Sequence, residues 1–224
     1  MTDKLNENFE IKNKKLVTFI TGGDPDFETS SKIIKTLIDN KIDIIEIGMP
    51  FSDPMADGPT IQLSSNRSLA NEINLDDIFK LASNAKKLNR KIPIILMGYY
   101  NVVLYYGVKD FVKNCIVNGV DGLIIVDLQP EEDDELLNEL KKNNIHLIRL
   151  ITPTTDEKRL KKILKNAYGF IYYVSVTGIT GTKSASVKDV KNKIKIIKKF
   201  TDLPIIAGFG IKNSIDAKKM SSIS

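Results

Sequence analysis

The segment IDIIEIGMPFSDPMADGPTIQ (42–62) carries two carboxylates, Glu46 and Asp57, eleven positions apart. Ile42, Ile44 and Glu46 share one parity, so an extended chain puts them on one face. A carboxylate among isoleucines is costly to bury, which leaves two readings: a rim Glu paired with a lysine, or an acid kept for chemistry. Asp57 lies in a stretch dense in Pro, Gly and Asp and reads equally as a turn former or a catalyst. Should the two acids converge on one pocket, they would divide acid and base roles wherever their environments separate their pKa values.

Other chemistries find less support. No metal-ligand spacing, Ser-His-Asp arrangement or reactive-cysteine motif is present, so the expected metal content is none. The one histidine, His146, sits in an apolar run and reads as a packed polar residue. Two glycine-bearing loops are candidates for holding phosphate. SVTGITGTKSASVKDV (175–190) has no apolar periodicity and reads as a flap. AGFGIKNS (207–214) precedes a helix start, where free N–H groups and the helix dipole favour an anion. Each glycine taken alone is equally well a turn residue.

Such residues need a frame. Seven short runs rich in Ile and Val recur: 16–21, 42–48, 93–99, 121–127, 146–151, 169–175 and 203–208. Their near-continuous hydrophobicity is that of parallel strands covered on both faces. Helical spacing of apolar residues appears between them at 27–40, 109–118, 156–166 and 187–200. Run starts fall 26, 51, 28, 25, 23 and 34 residues apart, and the long gap has room for an extra helix near 60–70 before one at 75–88. Repeated βαβ units give an open sheet or a closed barrel. The first turn, TGGDPD, lacks GxGxxG, so a dinucleotide-binding open sheet is unsupported and a (β/α)8 TIM barrel is expected. Seven of its eight βα units are expected here, within a single domain spanning 1–224 that is incomplete at its C-terminus. The last piece is a helix at 213–221, with Asn213 or Ser214 as its N-cap.

Composition narrows the class. There are 33 basic and 28 acidic residues, a net charge of +5 spread in mixed runs, which speaks against a nucleic-acid stripe. The single Cys115 excludes an internal disulfide framework and fits a reducing compartment. No apolar run reaches the ~18 residues of a membrane span. The polar N-terminus is no secretory signal, so a cytoplasmic protein without nucleic-acid or membrane partners is expected.

Taken together, IEIGMPFSDPMADGPTIQ, TFITGGDPD, MGYYNVVLYYG, GLIIVDLQPEE, YYVSVTGITGTKS and IIAGFGIKN resemble the tryptophan synthase alpha subunit family, in order and spacing over essentially the whole chain. The resemblance implies a (β/α)8 barrel lyase that splits indole-3-glycerol phosphate into indole and glyceraldehyde 3-phosphate. It implies an α2β2 heterotetramer in which indole passes to the beta subunit. Pyridoxal phosphate belongs to that partner, with no cofactor in this subunit. Glu46 matches the family's general acid/base. Asp57 matches the carboxylate that bonds the indole N–H. Phe19, Ile124, Tyr172 and Phe209 match the indole pocket. Gly181 and Gly210 match backbone phosphate contacts, and Thr180 matches the flap residue that meets the loop aspartate on closure. Asp53, Pro54 and Asn101 match the region facing the beta subunit.

The resemblance also locates a departure. Family members continue with an eighth strand whose Gly-Ser grips phosphate, whereas this sequence ends at Ser224. Two other readings therefore stand beside the enzyme. One is a non-catalytic alpha subunit that only binds and stimulates the beta subunit. The other is a different sugar-phosphate barrel lyase.

Overall fold

In the computed structural model, which describes residues 3–11, 13–174, 187–208, 211 and 213–222, parallel strands alternate with helices. The chain forms two compact units, Met1–Leu147 and Ile148–Ser224, each with its own sheet.

The first unit runs α1 (Lys4–Glu10), β1 (Val17–Thr21), α2 (Phe27–Asp39), β2 (Ile44–Gly48), α3 (Pro59–Ala70), α4 (Leu75–Leu88), β3 (Ile94–Gly98), α5 (Tyr100–Tyr106), α6 (Val108–Asn118), β4 (Gly122–Ile125), α7 (Asp134–Lys142) and β5 (His146–Leu147). Its five strands pair in sequence order, all parallel. Every residue of β2, β3 and β4 is buried, as their unbroken apolar runs require.

Local chemistry sets the helix ends. The Asp26 carboxylate accepts the Thr29 N–H at 2.7 Å and starts α2. Asn74 and Asp77 form a reciprocal capping box at the start of α4. Helix α6 stops at Gly119, whose φ of 75° is left-handed. Helix α3 opens on Pro59 at its first turn, where a missing N–H costs nothing. It buries Ser64, Ser65 and Ser68 rather than an apolar stripe. The serines are spent on the end of β1: Ser64 Oγ lies 2.6 Å from Thr21 Oγ1, and Ser68 Oγ donates to the Gly22 carbonyl at 2.7 Å. Arg67 adds a bidentate pair to Asp24 at 2.7 and 2.8 Å. At the other end of the strands, Asp121 accepts from the Ile94 N–H at 2.8 Å and from Lys86 Nζ at 2.5 Å. That carboxylate binds the starts of β3 and β4 to α4.

The second unit runs β6 (Arg149–Ile151), α8 (Glu157–Leu164), β7 (Ile171–Val174), α9 (Val187–Ile197), β8 (Ile205–Gly208) and α10 (Ser214–Ser221). Its strands pair in the order β6-β7-β8, again parallel. Ile151, Ile171 and Tyr173 pack with Leu160 and Ile163 of α8 and with Val190, Ile194 and Ile197 of α9. This is the stripe that helical spacing predicted for both helices. The Asn213 side chain accepts the Asp216 N–H at 2.9 Å, so Asn213 rather than Ser214 caps α10.

Two expectations shift. The run 146–151 is not one strand: residues 146–147 pair with β4, residues 149–151 pair with β7, and Ile148 belongs to neither ladder. The turn-rich stretch 49–62 ends inside α3, because Pro59 begins a helix instead of closing a loop. No described helix is long and apolar enough to cross a membrane.

Candidate active site

Residues in register across a parallel sheet share a face, and register gathers the expected residues of the first unit. Phe19 pairs with Glu46, and Glu46 with Ile95. Two residues further along, Gly48 pairs with Met97 and Met97 with Ile124. Phe19, Glu46, Met97 and Ile124 therefore lie on one face. Ile47 points to the other face and meets Ile78 of α4 beside Gly22. Gly48 is required here for space: a Cβ would stand 2.6 Å from Phe19 Cζ.

Glu46 is 2% exposed, and its Oε1 has no hydrogen-bond partner among the described residues. No lysine pairs with it there, which removes the rim ion-pair reading. Burial alone pushes its carboxyl pKa up to about 8. At neutral pH the group is mostly protonated, and it can donate a proton and recover one.

Asp57 is half-buried on the segment between β2 and α3. The turn is closed by backbone groups: the Gly58 carbonyl accepts from the N–H groups of Ile61 and Gln62 at 3.0 Å, and the Asp57 carbonyl accepts from Gln62 Nε2 at 2.7 Å. The helix cap is Gly58, without a side-chain cap bond. The Tyr99 hydroxyl instead accepts the N–H of Ala56, the residue before Asp57, at 3.0 Å. Burial raises the Asp57 carboxyl pKa, and the Tyr99 donor pulls it back down. The Asp57 side chain takes no part in capping α3.

In the second unit, Tyr172 lies in register with Leu150 and Ile206, on the face opposite the Ile171 and Tyr173 side chains. Gly208 leaves it room, since a Cβ there would fall 2.1 Å from the Tyr172 hydroxyl oxygen. Thr180, Gly181, Phe209 and Gly210 lie outside the described residues. Asp53 and Asn101 are exposed and Pro54 is partly so. His146 is 3% exposed, with Nε2 2.9 Å from both carboxylate oxygens of Asp3 just before α1. It is the packed polar residue expected. No three His, Cys, Asp or Glu gather as metal ligands among the described residues.

Two residues on this site escape sequence reasoning. Met97 was within reach of it, because alternation along β3 puts it on the Glu46 face once strand register is known. Tyr99 left no local trace. Its hydroxyl accepts the Ala56 N–H at 3.0 Å and its ring packs on Phe51 with centroids 5.4 Å apart, contacts that exist only in the folded chain.

Comparison with known proteins identifies the family. The family model for the tryptophan synthase alpha chain matches residues 5–224. The chain is 47% identical over 215 residues to the tryptophan synthase alpha chain of Geotalea daltonii, covering 95% of this chain and 80% of that one. The crystal structure of tryptophan synthase subunit alpha from Legionella pneumophila superposes with a TM-score of 0.91 at 32% identity, covering 100% of this chain and 84% of that one. Tryptophan synthase subunit alpha from Campylobacter jejuni does so with a TM-score of 0.84 at 38% identity, over 95% and 84% of the two chains. The fold class is that of these (β/α)8 barrels, as the strand spacing predicted. The chain belongs to the tryptophan synthase alpha chain family.

Proposed function

We propose that Glu46 and Asp57 carry out, in this chain, the alpha reaction of its family, a lyase reaction that cleaves indole-3-glycerol phosphate. The observation that carries the assignment is Glu46 itself, a buried carboxyl on the Phe19 face with its pKa lifted to about 8 by desolvation. The protonated Glu46 delivers its proton to C3 of the indole ring. The resulting carboxylate then takes the proton of the side-chain hydroxyl. As the carbonyl forms, the pair of the C–C bond returns to the ring, giving indole and glyceraldehyde 3-phosphate. Glu46 ends in the protonation state in which it began.

Asp57, as a carboxylate, accepts the indole N–H and stabilises the positive charge of the C3-protonated ring. Phe19 and Ile124, to which we add Met97, supply apolar walls for the flat ring, and family resemblance assigns Tyr172 and Phe209 to the same task. The same resemblance assigns Gly181 and Gly210 to the phosphate and Thr180 to the flap. The two carboxylates supply both proton movements, and pyridoxal phosphate is assigned to the partner subunit.

We infer that the partner is a tryptophan synthase beta subunit in an α2β2 assembly, docked on the region of Asp53, Pro54 and Asn101. Large apolar side chains are exposed beside those residues in sequence, namely Met55, Leu104 and Tyr105, with Tyr105 96% exposed. The test is indole release from indole-3-glycerol phosphate by the full chain, with and without a beta subunit. Release by the wild type and its loss in Glu46→Gln support the assignment. Stimulation of a beta subunit with no cleavage would support the non-catalytic reading instead.

A further inference from the structure

Between β3 and the loop that bears Asp57 stands one side chain that the assigned chemistry does not use. Tyr99 is 3% exposed and sits one residue past the end of β3, at the N-cap position of α5. Its peptide is held from the turn after β4, since the Tyr100 N–H donates to Asp127 Oδ1 at 2.8 Å. The Phe51 ring packs against it at a tilt of 35°. The hydroxyl of this ring accepts the N–H of Ala56, the residue before Asp57, at 3.0 Å. A phenol has a single proton to give, and Asp57, the next residue along the loop, has a carboxyl pKa that the Tyr99 hydroxyl lowers against the effect of burial.

We propose that Tyr99 is the positioning residue for Asp57, its hydroxyl fixing the loop backbone at Ala56 as an acceptor and the carboxylate of Asp57 as a donor. The proposal rests on the role assigned to Asp57 above. One oxygen sets two variables that a charge-stabilising carboxylate needs. It fixes where the loop stands at Ala56, and it opposes the rise in the Asp57 pKa that burial causes. Desolvation pushes the Asp57 pKa up and the phenol donor opposes it. The Tyr99 hydroxyl is itself pushed up to about 12, chiefly by burial and further by the nearby Asp57 charge, so it remains a donor throughout the working range. Asp127, by holding the Tyr100 amide, extends the same chain of support to the end of β4.

Tyr99→Phe keeps the ring and its packing on Phe51 and deletes only the oxygen. In the full chain, indole release should fall about 10- to 100-fold in kcat, with KM changed less than about threefold. The acid limb of the pH profile should move to higher pH, because Asp57 has lost the donor that favoured its charged form. A residue that merely packs would lower the rate evenly and leave that limb in place. In an Asp57→Asn background the same substitution should cost less than about twofold, since the group being positioned is gone. An equal cost in both backgrounds, or an unshifted acid limb, overturns the proposal. Full turnover by Asp57→Asn would overturn the role of Asp57 and this proposal with it. Loss of turnover in Asp57→Asn beside an unaffected Tyr99→Phe would overturn this proposal alone.

Discussion

Phe19 and Glu46 stand opposite each other across β1 and β2, and the Phe19 ring occupies the space that a side chain at Gly48 would need. The proposed ring wall and the proposed proton donor are therefore placed by one strand pairing. A glycine two residues past the acid keeps that arrangement open.

Gly48→Ala tests this packing. Its Cβ would lie 2.6 Å from Phe19 Cζ, so the ring must turn away or the strands must part. Overpacking of this kind costs about 1–3 kcal/mol, read as a lower unfolding midpoint in urea. Indole release should weaken mainly through KM, because the ring wall moves while Glu46 stays in place. Adding Phe19→Leu should return most of the stability.

Asp57→Asn separates catalysis from turn-making. Backbone groups of Gly58 and Asp57 close this turn, so the amide should fold with stability within about 0.5 kcal/mol of the parent. Turnover should fall by more than about tenfold, as the charge of the protonated ring goes unmatched. A smaller loss would return Asp57 to the status of a turn residue.

Asp121 offers the converse case, a carboxylate that builds the frame and does no chemistry. The Lys86 and Asp121 side chains are 11% and 16% exposed, and the same oxygen of Asp121 holds the Ile94 N–H. Asp121→Ala leaves a buried ammonium and a buried amide without this partner. A loss of roughly 3–5 kcal/mol in chemical denaturation is expected, with kcat of the folded fraction unchanged.

The sequence made the strands of this protein easy to see and several of its helices hard to see. Runs such as IIEIG and IILMG announce buried parallel strands because no polar residue interrupts them. Helix α3 was found by the length of the gap alone, since it buries Ser64, Ser65 and Ser68 where periodicity looks for apolar residues. Helix α5, YNVVLYY, begins at Tyr100 without a side-chain cap from Tyr99, and its first amide is satisfied by Asp127 from the turn after β4. No local pattern encodes a cap supplied from so far along the chain. Glu46 was conspicuous for the same reason that it is useful, as the one charge-bearing group in an isoleucine strand. The part played by Tyr99 is set wholly by tertiary contacts, and residue types gave no hint of it.

Burial of Glu46 also predicts a pH dependence of stability. Its pKa in the folded state, about 8, lies above the ordinary carboxyl value of 4.5. The folded state thus holds the proton more tightly than the unfolded state, and stability falls as pH rises from about 4.5 to about 8. Glu46→Gln removes this dependence. The variant should be more stable than the parent at pH 8 by an amount on the order of a few kcal/mol, with the gap narrowing to little at pH 4. Urea unfolding at several pH values reads this directly, and equal slopes for both proteins would exclude it.

With its pKa lifted to about 8 by burial, Glu46 is expected to wait protonated at neutral pH on the Phe19 face. The most direct measurement is the titration of its side-chain carboxyl by carbon NMR in the full chain, assigned by the signal lost in Glu46→Gln. A midpoint near 8, with the carboxyl still protonated at pH 7, is the predicted result. A midpoint between about 4 and 5, the range of an ordinary glutamate, would contradict it.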